Sequence, residues 1–291
     1  MAAIRMFACA ILLAGAWACQ AHAVERIKAH IYYTAAPFIT DGTTRSGLAL
    51  DLVHYLNRAL AGKYELELDV VPRARLAVQL EQGDAGIVLF VPSVIFGGID
   101  GGKYLWSAPL FLDRQELVSR SDQPFEFSGP PSLHNVRLGG VLGHSYPMLD
   151  ADIATGQIDV RRNMSEAALL KMLRYHRLDV VTLAGSSLRY YQNADPVLKD
   201  LFHVSRAGLG EYSRHLMFQE NMQRQRDDFD AVVGKMGVDP AWQAILAKYG
   251  LLPAACGLYR PADPQRRGRM GPCPASSVQA HARQRGAVPG P

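Results

Sequence analysis

The chain has 291 residues and a formal net charge of +4, and its positive charge is concentrated at the two ends. Arg5 contributes one positive charge, and residues 253–291 contribute five, from six Arg against Asp263. Residues 24–252 therefore carry a charge of −2, and they contain no patch of Lys and Arg with interleaved aromatic residues. The alkaline isoelectric point is not evidence for nucleic-acid binding, and we expect no nucleic-acid partner.

The N-terminus has the pattern of a cleaved signal peptide. Arg5 supplies a positive charge, and residues 6–18 are uncharged and mostly apolar. This run is shorter than the roughly 20 residues that a membrane-spanning helix needs. Ala21-His22-Ala23 places small residues where signal peptidase reads them, which predicts cleavage before Val24 and a periplasmic protein. Cys19 leaves a lipoprotein as an alternative, although the residues before it match a lipid-attachment box poorly.

The C-terminal segment, residues 253–291, is rich in Pro, Gly, Ala and Arg and has almost no large aliphatic residues. Such a segment cannot bury enough apolar surface to offset the entropy of ordering it, so we expect a disordered basic tail. Cys256 and Cys273 lie in this tail and could pair in an oxidising compartment or remain thiols. Residues 24–252 contain no Cys, which excludes thiol chemistry there.

A unit that occurs twice indicates the fold class. Residues 79–90 and 171–183 each contain the end of an amphipathic helix, a tight turn, an Asp and a short apolar strand. A helix that leads directly into a continuous apolar strand is typical of a parallel α/β sheet covered on both faces. Two such units predict an α/β protein with two lobes and a ligand cleft between them.

The remaining patterns predict alternating strands and helices in both lobes. We expect lobe 1 to comprise residues 24–120 and 211–252, and lobe 2 to comprise residues 121–210, after a signal peptide over residues 1–23. In lobe 1 the predicted strands are 27–33, 64–71 and 85–90, and the predicted helices are 48–61 and 75–82. In lobe 2 the predicted strands are 136–142, 158–161 and 180–183, with one helix over 147–155 and a second helix that is capped by Ser165 and ends at Tyr175. In the returning chain we predict a strand over 215–218 and helices 221–236 and 240–249.

The candidate site follows from a general property of open α/β sheets, which bind ligands beyond the carboxyl ends of their strands. Arg73 and Arg75 both follow the second strand, and Arg75 is our candidate. Trp106 is included because it could stack on a ligand, although it could equally pack in the core. The candidate ligand-binding residues are Tyr33, Phe38, Arg75, Phe90 and Trp106 in lobe 1, and His144, Ser145, Tyr146 and Gly185 in lobe 2.

The residues that could support catalysis do not form a convincing set. Gly143-His144-Ser145-Tyr146-Pro147 lies where a serine-hydrolase nucleophile elbow would be, but Pro147 replaces the last Gly of that motif. Free N–H groups at the helix start and the Ser145 hydroxyl could instead hold an anionic or polar ligand group, or Ser145 could only cap the helix. Asp84 and Asp179 lie at the amino ends of strands, where capping is expected. We therefore expect no catalytic residues, no metal site and no cofactor.

Several short motifs occur in one order along residues 24–252. They are Tyr33-Thr34-Ala35-Ala36-Pro37-Phe38, Gly47-x-x-x-Asp51-Leu52, Pro72-x-x-Arg75 followed by Gly83-Asp84, Gly143-x-Ser145-Tyr146, Arg177-Leu178-Asp179 and Lys248-Tyr249-Gly250. In these motifs the chain resembles the periplasmic solute-binding proteins of the type II fold, in the family that serves polar amino-acid ABC transporters. The resemblance implies two lobes joined by a hinge, each a sheet flanked by helices. It also implies a monomer that closes over a small polar solute and delivers it to a membrane ABC permease.

Other functions are compatible with the same resemblance. One alternative is a ligand-sensing module that docks on a membrane receptor. Another is an enzyme resembling a dehydratase, but we find no clear acid in the cleft for it.

Two departures from the family pattern concern the ligand. Amino-acid binders of this family carry an Arg after the third strand that clamps the α-carboxylate, and the segment from Pro92 to Lys103 has no Arg. They also carry an Asp for the α-ammonium at the position of Ala184. Burying an ammonium without a charged partner costs several kcal/mol. We therefore expect a small organic acid or another polar solute rather than a standard α-amino acid.

Overall fold

The structure is a computed structural model that describes residues 23–41, 46–83 and 86–252. Except for Ala23, the predicted signal peptide lies outside the described residues, as do Asp84 and the predicted tail with Cys256 and Cys273. Within the described ranges, no helix is both long enough and apolar enough to cross a bilayer.

The predicted order of strands and helices is confirmed in both lobes. Lobe 1 contains β1 (Glu25–Ile31), α1 (Leu48–Ala59), β2 (Tyr64–Val70), α2 (Arg73–Glu81), β3 (Ile87–Pro92) and β4 (Tyr104–Trp106), and the chain then enters the long strand β5 (Phe111–Arg120). Lobe 2 contains β6 (Leu138–Val141), α3 (Asp150–Ala154), β7 (Val160–Asn163), α4 (Glu166–Arg174), β8 (Val180–Ala184), α5 (Gly185–Ala194), α6 (Val197–Leu201) and β9 (Phe202–Val204). The chain returns through β10 (Glu211–Gln219), α7 (Gln223–Met236) and α8 (Pro240–Lys248).

The strands form one continuous hydrogen-bonded path in the order β2-β1-β3-β10-β5-β8-β6-β7, with β4 beside β10 and β9 beside β5. Within the lobes, β1 pairs in parallel with β2 and β3, and β6 pairs in parallel with β7 and β8. The parallel sheets that the sequence predicts are therefore present.

Strand β5 connects the two lobes. Its first part, from Phe111 to Arg114, pairs antiparallel with β10, whereas its later residues pair with β8 and β9. One strand is thus shared by the sheets of both lobes, and β10 returns the chain beside it. These two strands have the arrangement expected of a hinge.

Each lobe has its own apolar core because its helices cover the sheet with one hydrophobic face. In α1 the buried face contains Leu48, Leu52 and Leu56, which pack into the same cluster as Trp242 of α8. In α4 the buried residues include Leu169, Leu170 and Leu173, which pack against β8. The Ser165 hydroxyl accepts a hydrogen bond from the N–H of Ala168, so the predicted helix cap is confirmed.

One predicted helix is shorter than expected. The helix predicted over residues 147–155 is a turn followed by α3, which has five residues. The Asp150 carboxylate accepts hydrogen bonds from the Ser145 hydroxyl at 3.1 Å and the Tyr146 N–H at 3.3 Å. These bonds stabilise a loop where the sequence predicted a helix start with free N–H groups.

Five elements have no counterpart in the sequence analysis, namely β4, β5, α5, α6 and β9, and two of these, β5 and α5, matter for the site. Strand β5 was missed because Asp113, Arg114 and Glu116 interrupt its apolar pattern. Helix α5 begins with Gly185-Ser186-Ser187, residues that favour loops over helix interiors. Both elements contribute to the cleft.

Gly47 connects the segment after β1 to α1, and its backbone requires glycine. Its φ is +131°, and a Cβ there would lie 2.3 Å from the carbonyl oxygen of Phe38. We predict that Gly47→Ala lowers the free energy of unfolding by more than about 3 kcal/mol, because strain and a backbone clash add. Gly62 has φ +84° and open space around it, so Gly62→Ala should cost only about 1–2 kcal/mol. Urea denaturation of both variants tests this, and equal losses would contradict it.

Candidate functional site

The carboxyl ends of strands from both lobes meet at one cleft, and Tyr33 and Glu166 are in contact across it. Tyr33 follows β1 of lobe 1, and its hydroxyl donates a hydrogen bond to Oε1 of Glu166 at 2.7 Å. The Tyr33 ring also lies against the imidazole of His144 in lobe 2, with 5.6 Å between ring centroids. The two lobes therefore touch directly at the edge where the sequence predicts ligand binding.

Arg214 of β10 lies beneath this contact, and only 2% of its surface is exposed. Its Nε donates to Oδ2 of Asp113 at 2.8 Å, and its Nη1 donates to the carbonyl oxygen of Phe90 at 3.1 Å. Its Nη2 donates to the Tyr212 hydroxyl at 3.3 Å. A buried guanidinium needs such partners because an unpaired charge is strongly unfavourable away from water.

Aromatic rings surround the Arg214 guanidinium. Its central carbon lies 4.6 Å from the centroid of the Phe38 ring, 5.2 Å from that of Tyr33 and 5.3 Å from that of Tyr212. Burial alone would lower the pKa of Arg214, but Tyr212, Asp113 and Tyr33 outweigh this effect and raise it. Arg214 is therefore a permanent cation that supports Tyr33.

Asp113 joins this cation to lobe 2. It lies on β5, it is 2% exposed, and it accepts hydrogen bonds from the Ser186 N–H at 2.9 Å and the Ser186 hydroxyl at 2.6 Å. Nη2 of Arg189, on the same helix as Ser186, lies 3.7 Å from Oδ1 of Asp113. One carboxylate thus contacts groups of both lobes at the strand that connects them.

Glu166 is the first residue of α4 and is 3% exposed. Burial raises its pKa to about 6, even though the Ser187 hydroxyl, the Tyr33 hydroxyl and Arg214 favour the charged form. Ser187 of α5 lies close enough to act on this carboxyl group, but no well-formed hydrogen bond reaches Oε2 of Glu166 or the buried Ser187 hydroxyl within the described residues. Buried polar atoms without partners are uncommon in native structures and call for a ligand, a water or an ion.

His144 follows β6 and is partly buried in the cleft. Burial lowers its pKa to about 4, and the positive charges of Arg73, Arg214 and Arg162 act in the same direction. His144 is therefore neutral at pH 7 and can donate or accept a hydrogen bond. The described residues contain no group of three or more His, Cys, Asp or Glu that could hold a metal ion.

The structure places five of the nine predicted site residues at or directly beneath the cleft. Tyr33 and His144 touch each other across it. Phe38 and the carbonyl of Phe90 contact the Arg214 guanidinium from below. Gly185 begins α5 at the carboxyl end of β8.

The other four predicted residues make no contact across the cleft among those described. Arg75 is exposed on α2, and Trp106 packs edge-on against His215 at a centroid distance of 5.9 Å. The Ser145 hydroxyl donates to Asp150 in the loop before α3. Tyr146 is buried in the core of lobe 2, where its hydroxyl accepts a hydrogen bond from the Val141 N–H at 2.9 Å.

The sequence analysis missed the three charged residues at the centre of the cleft. Glu166 was within reach, because it directly follows the predicted cap Ser165 at the carboxyl side of a strand. Arg214 and Asp113 gave no such signal, since neither follows the carboxyl end of a predicted strand. The sequence analysis found no acid to replace the family's Asp at the position of Ala184, whereas the structure places the buried carboxyl groups of Glu166 and Asp113 at the contact between the lobes, Asp113 being paired with Arg214.

Comparison with solved structures identifies the fold of the chain. No family model matches the chain, and no curated protein matches it. Among solved structures, the ligand-binding core of GluR0 with L-glutamate aligns at TM-score 0.62 and 15% identity, over 78% of this chain and 99% of that one. The arginine-binding protein ArgBP from T. maritima (P235GK mutant) aligns at TM-score 0.60 and 16% identity, over 77% and 94%.

A third structure, the substrate-binding protein of an ABC uptake transporter from Streptococcus pneumoniae with bound histidine, aligns at TM-score 0.60 and 16% identity, over 77% of this chain and 92% of that one. These structures are of binding proteins and ligand-binding cores rather than enzymes. The chain has the two-lobed type II fold of the periplasmic solute-binding proteins. At these identities the likeness shows the fold, and the ligand has to be argued from the site.

The Arg214–Asp113 pair gives a test of what stabilises the junction between the lobes. Asp113→Asn leaves a buried cation without its counter-charge, so we predict a loss of about 3–5 kcal/mol in the free energy of unfolding. Glu65→Gln removes an exposed ion pair with Arg26 and should cost less than about 1 kcal/mol. Chemical denaturation measures both, and a similar small loss in the two variants would contradict this role.

Glu166 gives a test by pH. Because burial raises its pKa from 4.5 to about 6, the folded protein holds this proton more tightly than the unfolded chain does. The resulting stabilisation is complete below pH 4.5 and is lost as the pH rises through 6. We predict that Glu166→Gln is more stable than the parent by up to about 2 kcal/mol at pH 8 and equally stable at pH 4.

Denaturation across this pH range checks the prediction, with Glu220→Gln as an exposed control that should follow the parent at every pH. A Glu166→Gln variant with unchanged stability at pH 8 would show that the carboxyl group is not buried in solution.

Proposed function

We propose that this protein binds a small polar solute in the cleft between its lobes, outside the cytoplasm, and delivers it to a membrane ABC transporter. The observation that carries the proposal is the set of buried polar atoms beside the contact between the lobes. Oε2 of Glu166 and the Ser187 hydroxyl are buried close to each other without a well-formed hydrogen bond, next to the Tyr33–Glu166 hydrogen bond. A polar solute would satisfy these atoms, whereas an apolar one would leave them unpaired.

The connection between the lobes supports a closing motion. Within residues 23–41, 46–83 and 86–252, the sheets of the two lobes are linked only through β5 and its neighbour β10, and Asp113 on β5 contacts Arg214 in lobe 1 and Ser186 in lobe 2. A rigid lobe can rotate about such a pair of strands while its own core stays intact. A solute that contacts both lobes would bind the closed form more tightly than the open form, so its binding would shift the protein towards the closed form.

Delivery to a transporter rests on the fold and on the predicted signal peptide. ABC transporter binding proteins are among the solved structures of this fold, one of them described as a probable extracellular-binding protein from Bacillus subtilis. A sensory module that docks on a membrane receptor would use the same cleft. Capture of a permease or of a receptor by the solute-loaded protein distinguishes the two partners.

The solute-binding proposal is tested on the mature chain, Val24 to Pro291, with amino acids, polyamines, organic acids and sugars. We predict that one class raises the free energy of unfolding by about 2.7 kcal/mol at 100 times its dissociation constant. The same compound should lower the radius of gyration in small-angle scattering as the lobes close. Ser187→Ala should weaken its binding about tenfold, because a buried hydroxyl partner is lost.

Thr155→Ala is the matched control. Thr155 is exposed at the carboxyl end of α3, and the loop of the cleft lies at the other end of that helix. The Thr155→Ala variant should therefore bind the solute as tightly as the parent. If no class of solute stabilises the protein or changes its scattering, the proposed function is rejected.

A further inference from the structure

Two arginines, one from each lobe, flank His144 at the cleft. Arg162 lies on β7 of lobe 2, and its Nη1 donates to the carbonyl oxygens of His144 at 2.9 Å and Val141 at 3.3 Å. Its guanidinium carbon lies 5.9 Å from the centroid of the Tyr146 ring. These contacts fix the cation beside the loop that carries His144, although the side chain is exposed.

Arg73 approaches the same place from lobe 1. It is the first residue of α2, at the carboxyl end of β2, and its guanidinium carbon lies 5.8 Å from the Tyr32 ring and 6.0 Å from the Phe96 ring. Tyr32 is followed in the chain by Tyr33, whose ring contacts His144. Two aromatic contacts therefore hold Arg73 on its own side of the cleft.

These two cations differ from most other arginines of the cleft in lacking a counter-charge. Arg214 is paired with Asp113, and Arg114 is paired with Glu116. Within the described part of the chain, no carboxylate lies within 4.0 Å of Arg73 or Arg162. The positive charges of Arg73, Arg214 and Arg162 all lower the pKa of His144, in agreement with two unpaired cations beside it.

Deeper in the cleft the charge has the opposite sign or is neutralised. Asp113 cancels Arg214, and Glu166 adds a carboxyl group that lies within reach of the Tyr33 hydroxyl. A negative group on a solute would be repelled by an ionised Glu166 and attracted by Arg73 and Arg162. The rim of the cleft therefore favours the negative end of a solute, and the deeper part beside Glu166 favours an end without negative charge.

We propose, building on the solute-binding function above, that the ligand is an anion of the organic-acid class whose carboxylate lies between Arg73 of lobe 1 and Arg162 of lobe 2, beside His144. Guanidinium groups bind carboxylates through charge-assisted hydrogen bonds, and neutral His144 can donate another. Because the two cations belong to different lobes, a carboxylate between them attracts both and draws the lobes together. The uncharged polar end of the ligand faces Glu166 and Ser187.

The test is calorimetry with glycolate, lactate and 3-hydroxybutyrate, each of which has one carboxylate and an uncharged polar end, with lactamide as the uncharged match to lactate. At least one acid should bind the parent protein, and lactamide should not bind. Arg73→Gln and Arg162→Gln should each weaken the binding of that acid by about 10- to 100-fold. Both side chains are exposed, so thermal unfolding without ligand should be unchanged in Arg73→Gln and lowered by at most a few degrees in Arg162→Gln, which loses two hydrogen bonds.

Two arginine controls match these variants in charge. Arg161→Gln removes the neighbouring cation on β7, which pairs with Asp159, and Arg26→Gln removes an exposed cation of lobe 1. Both control variants should bind the acid as tightly as the parent. If they lose as much affinity for the acid as the test variants do, the effect is one of general surface charge and the inference is overturned.

The remaining outcomes separate the inference from the proposed function. An acid that binds Arg73→Gln and Arg162→Gln as tightly as the parent overturns the carboxylate site. Binding and lobe closure with putrescine, glucose or a neutral amino acid, but with no acid, overturns the anionic ligand and leaves solute binding intact. If no probe of any class binds, both the inference and the proposed function fail.

Discussion

The ion pair between Arg214 and Asp113 is the interaction on which the cleft depends. Two charges that are almost completely buried remain stable only if every donor and acceptor around them is satisfied. Their partners are the Phe90 carbonyl, the Tyr212 hydroxyl and the two donors of Ser186, which belong to β3, β10 and α5. Because these partners lie on different elements, the hydrogen bonds of the Arg214–Asp113 pair fix the positions of elements from both lobes at the strand where the lobes join.

The same pair explains how a polar cleft can be built over aromatic residues. The Arg214 guanidinium provides a cationic surface on which the rings of Phe38 and Tyr33 rest. Tyr33 is thereby held with its hydroxyl towards Glu166, which places a carboxyl group at the contact between the lobes. The charge below is neutralised by Asp113, so the polarity that a solute meets is set by Glu166, His144 and the arginines at the rim.

The sequence predicts the lobes and much of the cleft because these follow from local patterns. The cap at Ser165 and the apolar strands around it define α4 and its neighbours, and the rule about carboxyl ends of strands finds Tyr33 and His144. Arg214 and Asp113 escape this reasoning because their partnership depends on the antiparallel pairing of β5 with β10, about a hundred residues apart. Tyr146 is the opposite case, because the sequence predicted a ligand contact and the structure buries the ring in the core. An aromatic residue beside a cleft loop has the same sequence pattern in both situations.

The Tyr33–Glu166 hydrogen bond also has a consequence for the rate at which a solute exchanges. This bond joins the lobes beside the buried Oε2 of Glu166. A solute can reach that oxygen only while the bond is broken and the lobes are apart, so every exchange of solute includes a step of lobe opening. The contacts that position Glu166 therefore also act as a gate, because they have to break before loading and before release.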